Sequence, residues 1–269
     1  MRNPAPVGAP ARATPAAPAA RPDRSVIPLG TLATLRNRAT RLLLHGAASR
    51  NCYVAKGPFR PYHRLSRASV NLEFVRTATT ELLAREVRDR QLAGAVAELG
   101  VFVGGYAAML NQFFPDRALY LFDTFDGFDA RDVAADVASG LPSEPYPVPP
   151  ATADVVLARL PHRDRARIRA GWFPESARGL EDERFCFVHI DVGLQNPTAS
   201  GLAWFHPRLV PGGYMLVADY NNAHAPGVRQ AVREFTARTG NAYTVLPDFD
   251  GTAVFVKPVS PAAPRASRP

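Results

Sequence analysis

The stretch Gly94-Ala-Val-Ala-Glu-Leu-Gly100-Val-Phe-Val-Gly104-Gly105 joins a short apolar run to closely spaced glycines. Ala95–Leu99 is largely apolar and lacks proline, which predicts a buried strand. A helix-like run, Tyr106–Phe114, follows the glycines. Glycines at such a turn let the backbone approach a ligand, and the helix N-terminus offers free N–H groups to an anionic or polar group. The spacing E-x-G-x-x-x-G-G matches neither G-x-G-x-x-G nor a Walker A loop, so a tight strand-to-helix turn is the alternative interpretation.

A second apolar run ends on a carboxylate about 20 residues after the glycines. This run is Arg117–Asp123, and it predicts the next strand. In an open α/β sheet, the end of the second strand lies beside the ribose of a nucleotide held at the first loop. Asp123 is therefore predicted to accept hydrogen bonds from ribose hydroxyls, with a helix cap as the alternative role.

Composition separates the chain into a globular part and two tails. The chain has 269 residues, 46% of them hydrophobic, and 26 prolines that cluster near the ends. Residues 1–28 and 259–269 are Pro-, Ala- and Arg-rich, which is typical of disordered tails. This leaves a helical N-terminal extension at residues 29–90 and one main domain at residues 91–258.

The net charge of +8 is unevenly distributed. Residues 1–90 carry 16 Lys and Arg against 5 Asp and Glu, whereas residues 91–269 carry 16 against 19. No aromatic-interleaved basic patch accompanies the N-terminal excess, so nucleic-acid binding is not expected. No run approaches the roughly 18 apolar residues of a membrane span, and no signal peptide is evident. We expect a cytoplasmic protein with no membrane partner, in which Cys186 is a small core residue.

The remaining runs alternate between helix and strand. Leu29–Ala48 has helical periodicity with interspersed arginines, which predicts a helix that packs on the domain or on a second copy of the chain; binding to a membrane surface is the alternative. We therefore expect a homo-oligomer formed through the N-terminal helices. Further helices are predicted at Ser69–Arg88, Ala151–Leu160, Pro197–Leu209 and Gly227–Thr239, and further strands at Ala166–Ala170, Phe185–Asp191, Tyr214–Asp219, Ala242–Leu246 and Thr252–Val256.

These elements predict an α/β fold, a doubly wound and mostly parallel seven-stranded sheet. Five strand–helix units come first, and a C-terminal hairpin adds an antiparallel strand at one edge. Three strands end on carboxylates, Asp123, Asp191 and Asp219, at the edge where such sheets bind ligands. The acidic, Pro-rich insertion Asp129–Pro150 is interpreted either as a lid or substrate loop or as a disordered connector.

Six segments in this order resemble the TylF/MycF (macrocin O-methyltransferase) family: ELGVFVGG, LFDTFDGF, GWFPES, FVHIDVGLQNPT, LVPGGYMLVADY and PGVRQAVREF. The resemblance covers about residues 66–256. It implies a Rossmann-like class I methyltransferase that uses S-adenosylmethionine (SAM) to methylate hydroxyls of small natural products, typically on sugars.

The resemblance also implies roles for individual residues. Glu98, Gly100, Gly104 and Gly105 would hold the methionine part of SAM, and Asp123 would bind the ribose. The full set of implied cofactor-binding residues is Glu98, Gly100, Gly104, Gly105, Asp123, Thr124, Gly171, Trp172, Phe173 and Asp191, with Gly171-Trp172-Phe173 bordering the adenine.

The chain departs from the family at the catalytic end. The family shows D-x-D-L-Y after the fourth strand and D-D-Y after the fifth, and here Gly193 and Ala218 replace two of those four carboxylates. Asp191 and Asp219 remain as possible Mg²⁺ ligands, helped by an amide of Asn221 or Asn222, although the loss of an anionic ligand weakens the case for the metal. Asp191 and His224 are the proposed catalytic residues, with His224 replacing the base missing at Gly193, whereas His189 fits a core position.

Three functions follow from these observations. The first is SAM-dependent O-methylation of a small-molecule hydroxyl, with a sugar as the expected acceptor. The second is a SAM-binding protein of the same fold with impaired or altered catalysis, or one that serves as a non-catalytic partner. The third is a nucleic-acid methyltransferase recruited by its basic arm.

Overall fold

This computed structural model describes residues 74–141 and 151–259. These residues contain one mixed, seven-stranded sheet. Its strands are β1 (Ala95–Leu99), β2 (Leu119–Asp123), β3 (Ala166–Ala170), β4 (Phe185–Ile190), β5 (Leu209–Val217), β6 (Tyr243–Val245) and β7 (Ala253–Val256). The helices are α1 (Phe74–Asp89), α2 (Gly105–Phe113), α3 (Ala130–Ala138), α4 (Ala153–Arg159), α5 (Gln195–Arg208) and α6 (Pro226–Thr239). The predicted tail at 1–28, the predicted helix Leu29–Ala48 and residues 142–150 of the insertion lie outside the described residues, as does the C-terminal tail beyond residue 259.

The strand order is β3-β2-β1-β4-β5-β7-β6. The first five strands are parallel, and β7 runs antiparallel to both β5 and β6. This confirms the doubly wound sheet and its antiparallel C-terminal strand, but the predicted edge position of that strand is wrong. Ala253, Val254 and Phe255 of β7 are buried, whereas the three residues of β6 are half-buried or exposed, so β7 takes the interior place and β6 forms the edge.

The two faces of the sheet pack against different helices. Ala95, Ala97 and Leu99 of β1 join a core with residues of α5 and α6, while Val96 joins a second core with residues of α1, α2 and α4. Because successive strand residues point to opposite faces, Glu98 points to the same face as Val96. This alternation places a carboxylate beneath α1 and α2.

Helix α1 buries a partly polar stripe. Thr77, Thr80, Glu81, Ala84 and Val87 are its buried residues. Helical periodicity in the sequence predicts a buried stripe of Leu72, Val75, Leu82, Leu83 and Val87. This prediction is largely wrong, since Leu82 is 49% exposed and Val75 and Leu83 are only partly buried. Leu72 lies outside the described residues. One polar residue of the stripe, Thr80, is hydrogen-bonded to the hydroxyl of Tyr106, and the neighbouring Arg76 of the same helix is bonded to Asp191.

The first half of the insertion after β2 is a helix rather than a loop. Helix α3 begins after Asp129, whose carboxylate accepts a hydrogen bond from the N–H of Arg131. Its buried Asp136 accepts the N–H groups of Gln195 and Asn196 at 2.8 and 3.0 Å. Asp136 thereby caps helix α5, whose own N-cap residue, Leu194, has no side-chain acceptor.

The Pro211-Gly-Gly segment predicts a turn before the strand that starts at Tyr214. In the structure β5 begins five residues before Tyr214 and includes this segment. The pairing with β4 shifts register between Phe185 and Phe187, which accommodates this segment. Within the described residues, no helix is long and apolar enough to cross a membrane.

Candidate functional site

Left-handed backbone conformations mark the carboxyl edge of the sheet. Among the described residues, four that are not glycine have a positive φ: Gln91, Phe102 (+50°), Phe125 (+58°) and Asp219 (+61°). Phe102, Phe125 and Asp219 follow β1, β2 and β5 respectively. Such conformations are unfavourable for residues with a side chain, and they concentrate at functional sites. The carboxyl edge is therefore the candidate site.

The glycines after β1 have different structural roles. A Cβ on Gly100 would lie 2.0 Å from the carbonyl oxygen of Asp191, so this glycine lets the loops after β1 and β4 touch. A Cβ on Gly104 would lie 3.0 Å from the side chain of Val156 on α4. Gly105 has no atom within 4 Å of the corresponding position, so open space lies above the first residue of α2. Of the three, Gly105 has the surroundings that a ligand would need.

Asp123 ties the first two loops together. Its Oδ2 atom accepts the N–H groups of Val101 (2.6 Å) and Phe102 (2.9 Å), and its Oδ1 atom accepts that of Phe125 (2.8 Å). The adjacent Thr124 hydroxyl donates to the carbonyl of Gly127. Because a carboxylate offers about four acceptor positions, Asp123 retains capacity for a further donor. It is thus both the organiser of the loop and a half-exposed acceptor.

Two phenylalanines missed by the sequence analysis flank this carboxylate. Phe102 is 46% exposed, and Phe125 is partly buried. Both are held in left-handed conformations beside Asp123, with their main-chain N–H groups bonded to it. No composition or spacing signal marks them, since only the backbone conformation distinguishes them from core aromatics.

Glu98 and His189 form a buried pair on adjacent strands. The Glu98 Oε1 atom lies 3.2 Å from the His189 Nδ1 atom, and both side chains are almost completely buried. Burial, reinforced by the negative charges of Asp191 and Asp123, raises the pKa of Glu98 well above its usual value. Burial and the charge of Arg76 lower the pKa of His189. Both directions favour uncharged partners, and His189 is the core residue that the sequence predicted.

The second oxygen of Glu98, Oε2, is buried and has no hydrogen-bond partner among the described residues. An unsatisfied acceptor of this kind is costly unless a donor reaches it. An ammonium group is a suitable donor, and its charge would favour the ionised carboxylate. This orphaned atom fits the predicted role of Glu98 toward the methionine part of SAM.

The turn after β3 splits its two aromatic residues between site and core. Gly171 has φ +115° and open space where a Cβ would stand. Trp172 is partly buried, and the guanidinium of Arg131 lies 4.0 Å from its ring centre. Phe173 is 4% exposed and stacks on Phe205, so an adenine contact would require it to leave the core. Trp172 is therefore the aromatic side chain of this turn that is partly exposed, with Arg131 over its ring.

Asp191 and Asp219 follow adjacent parallel strands, β4 and β5. Burial raises the pKa of Asp219 to about 7, and the charge of Asp191 adds to this effect, so the two carboxylates face a common region. Asp191 also forms an ion pair that the sequence analysis missed, with the Nη1 atom of Arg76 3.2 Å from its Oδ2 atom. Arg76 comes from α1, which precedes the sheet by sequence but reaches its carboxyl edge.

The amides suggested as metal ligands are already engaged. The Oδ1 atom of Asn221 accepts from Arg229 at 2.7 Å, and the Oδ1 atom of Asn222 accepts from the main-chain N–H of His224 at 2.9 Å. Each amide oxygen keeps one acceptor position, so their role at a metal stays a prediction. The His224 side chain is exposed beside this loop.

A second acidic pair, Asp248 and Asp250, reaches the site from the loop between β6 and β7. Hydrogen bonds from the N–H groups of Tyr220 and Asn221 to the carbonyls of Gly251 and Asp250 hold this loop in place. Burial raises the pKa of Asp250, the charges of Asp191 and Asp248 add to this effect, and those of Arg76 and His224 oppose it. The sequence predicts only a hairpin loop here.

The two positions that lack family carboxylates have contrasting surroundings. Gly193 has φ +65°, a conformation that disfavours most side chains although Asp is among those that tolerate it. Ala218 is 1% exposed, so an aspartate there would be buried. The exchange at 218 therefore removes a charge from the interior rather than from an open crevice.

Comparison with known proteins places these features in a family. The model of the macrocin-O-methyltransferase (TylF) family matches residues 75–257. The chain is 32% identical over 92 residues to the 8-demethyl-8-(2,3-dimethoxy-alpha-L-rhamnosyl)-tetracenomycin-C 4'-O-methyltransferase of Streptomyces olivaceus, an alignment covering 34% of each protein. It is 28% identical over 160 residues to the mycinamicin III 3''-O-methyltransferase of Micromonospora griseorubida, covering 55% of this chain and 62% of the relative. The chain thus spans less than two thirds of either relative's length.

Solved structures share the fold. The O-methyltransferase NovP superposes with a TM-score of 0.54 at 20% identity, over 68% of this chain and 80% of NovP. The calicheamicin methyltransferase CalS11 gives a TM-score of 0.54 at 19% identity, over 76% of this chain and 95% of CalS11. Similarity at this level establishes a Rossmann-like class I methyltransferase fold. Together with the family match across residues 75–257, it shows that the chain belongs to the macrocin O-methyltransferase (TylF) family.

Proposed function

We propose that this protein is a SAM-dependent O-methyltransferase that acts on a hydroxyl of a sugar carried by a small natural product. The observation that carries the proposal is that the family match runs from residue 75 to residue 257, through every element of the described crevice. Two relatives are named for O-methylation of natural products, one of them rhamnosylated, which supports a sugar as the acceptor.

The cofactor fits three features of the carboxyl edge. The unpartnered Glu98 Oε2 atom suits the ammonium group of SAM, the open space at Gly105 suits its methionine part, and Asp123 suits its ribose. Gly171 and Trp172 border the region proposed for the adenine. SAM supplies an electrophilic methyl group on its sulfonium, and the residues of this chain must orient the acceptor and remove its proton.

His224 and Asp191 remain our proposed catalytic residues. Gly193 has no side chain that could take the proton, whereas the imidazole of His224 is exposed and interacts electrostatically with Asp250. A general base contributes roughly 10²–10⁴-fold to the rate of such a reaction. The acceptor is a small molecule, and the proposed homo-oligomer would form through N-terminal helices that lie largely outside the described residues.

The test combines cofactor binding with methyl transfer. Calorimetry should detect SAM binding to the wild type, and Asp123→Ala should weaken it by about 1.5–3 kcal/mol, the scale for a hydrogen bond to a charged group. Transfer of labelled methyl should occur to a rhamnosylated aromatic polyketide and not to its aglycone. In the same assay, His224→Gln should reduce kcat roughly 10²–10⁴-fold. Unchanged SAM affinity in Asp123→Ala would refute the ribose assignment.

The second candidate is a SAM-binding protein without ordinary methyl transfer. It is favoured by Gly193 and Ala218, which leave two carboxylates where the family has four. That function predicts SAM binding without label transfer to either the glycoside or the aglycone. Equal label transfer to the aglycone would instead argue against a sugar acceptor.

A further inference from the structure

Four carboxylates on three loops, which form the acidic corner of the crevice, influence one another electrostatically. Asp191 follows β4, Asp219 follows β5, and Asp248 and Asp250 belong to the loop between β6 and β7. The last loop is fixed by the hydrogen bonds from residues 220 and 221, so these charges are held together by the main chain. Like charges at this density require a compensating cation.

Arg76 is in a position to supply that cation. Its guanidinium contacts Asp191 at 3.2 Å, and its side chain is only 19% exposed. Burial opposes the charge on Arg76, but Asp191, Tyr106, Asp248 and Asp219 together outweigh it, so the pKa of Arg76 is raised. The cation therefore contacts Asp191 directly and is stabilised electrostatically by carboxylates of the other two loops.

A buried framework fixes this guanidinium. It lies 5.4 Å from the ring centre of Tyr106, within the range of a cation–π contact. The Tyr106 ring also stacks on His189 with centroids 3.7 Å apart, and its hydroxyl is 2.5 Å from that of Thr80, which donates to the carbonyl of Arg76. Arg76 is thus held by its own helix, by α2 and by β4.

The donor set does not fit magnesium. Mg²⁺ requires near-octahedral oxygen ligands at about 2.0–2.1 Å. Here Asp191 already pairs with Arg76, both nearby amide oxygens accept other hydrogen bonds, and no group of three His, Cys, Asp or Glu side chains among the described residues is arranged to hold a metal. A divalent ion would also be repelled by the guanidinium beside Asp191.

We propose that Arg76 is the resident cation of this acidic corner and that it excludes a divalent metal from Asp191 and Asp219. The proposal deepens the proposed function, because it concerns the same site and implies methyl transfer without Mg²⁺. Its test nevertheless requires no turnover. Absence of SAM binding would defeat the proposed function and leave the metal result interpretable.

The experiment measures Mn²⁺ binding by electron paramagnetic resonance on the full chain. Any weak Mn²⁺ binding by the wild type should be independent of Asp191, so Asp191→Asn alone should leave it unchanged. Arg76→Met, which keeps the length of the side chain but removes its charge, should bind Mn²⁺ at least about tenfold more tightly than wild type, since the repulsion is removed. Adding Asp191→Asn should abolish the gain. Arg88→Met is the matched control, because Arg88 lies on the same helix and donates to the carbonyl of Phe113.

Two results would overturn the proposal. One is that the wild type binds Mn²⁺ and that Asp191→Asn removes this binding. This result does not depend on the folding of any Arg76 variant. The other is a folded Arg76→Met protein that binds Mn²⁺ no better than wild type and Arg88→Met. If circular dichroism shows that Arg76→Met is unfolded, Arg76→Gln is used instead. Glutamine keeps a hydrogen-bond donor without the charge, and the same gain in Mn²⁺ affinity is expected.

Discussion

At the scale of single residues, the glycines after β1 have two different structural roles, and the sequence pattern alone does not distinguish them. Gly100 is needed because the carbonyl of Asp191 occupies the place of a Cβ. Gly105 has open space there instead, and it begins α2 in an ordinary helical conformation. The first glycine therefore serves the packing of two loops, and the second leaves room for a ligand.

Alanine at these two positions should have opposite effects. Gly100→Ala should lower the free energy of unfolding by about 3 kcal/mol or more, because a left-handed φ of +86° and a main-chain clash both oppose it. Gly105→Ala should leave that free energy unchanged or slightly raised, since alanine favours the helix, but it should weaken SAM binding. Urea unfolding and calorimetry measure both quantities. Undiminished SAM binding by Gly105→Ala would show that the cofactor does not occupy this space.

The sequence could predict the residues of the site that lie at strand ends, but not those that arrive from elsewhere. Asp123, Asp191 and Asp219 follow from strand periodicity, because parallel strands bring their carboxyl ends to one edge. Arg76 could not be predicted, since it stands on a helix whose partner in space is 115 residues away. The burial of Phe173 could not be predicted either, because two adjacent aromatic residues share one turn. In the structure Phe173 is buried in the core and Trp172 is partly exposed.

At the scale of elements, α3 is joined to α5 by buried carboxylates. Asp136 caps α5 through two main-chain N–H groups, and Asp132 accepts from the side-chain amide of Asn196 at 2.6 Å. The length of this acidic, Pro-rich insertion predicts either a lid or substrate loop or a disordered connector, and neither interpretation includes a helix. The prolines in fact lie at residues 142–150, and the preceding alanine-rich segment forms the helix.

Asp136→Ala should therefore loosen two helices at once. We expect a loss of about 1–2 kcal/mol in the free energy of unfolding, the scale of a missing N-cap. Hydrogen exchange should accelerate at the amides of Gln195 and Asn196. Asp129→Ala is the control, because Asp129 bonds only within its own turn to Arg131 among the contacts described here. Equal protection of Gln195 in both variants would contradict the cap.

At the scale of the whole molecule, acid should destabilise the fold through a histidine that is not one of the site residues. His206 on α5 is 8% exposed and lies against Phe235. Burial, followed by the charge of Lys257, lowers the pKa of His206 to about 4. Between that value and the unfolded pKa of about 6.5, the unfolded chain binds the proton and the folded chain does not, so stability falls as the pH falls through this window.

The comparison of wild type with His206→Gln isolates this effect. On going from pH 7 to pH 5, wild type should lose about 2 kcal/mol more of its free energy of unfolding than the variant, because glutamine does not titrate. Urea unfolding at the two pH values measures the difference, and His189 contributes to both proteins alike. Parallel losses in the two proteins would place the acid sensitivity elsewhere.

The interior position of β7 also has a consequence for the folding of the chain during its synthesis on the ribosome. Strand β6 pairs with β7, and β7 pairs with β5, so the second-to-last strand cannot join the sheet until the last one has emerged. The Asp248–Asp250 loop connects these two strands and completes the acidic corner. A nascent chain can thus form the first five strands during translation, but the candidate site is completed only after Val256 has left the exit tunnel.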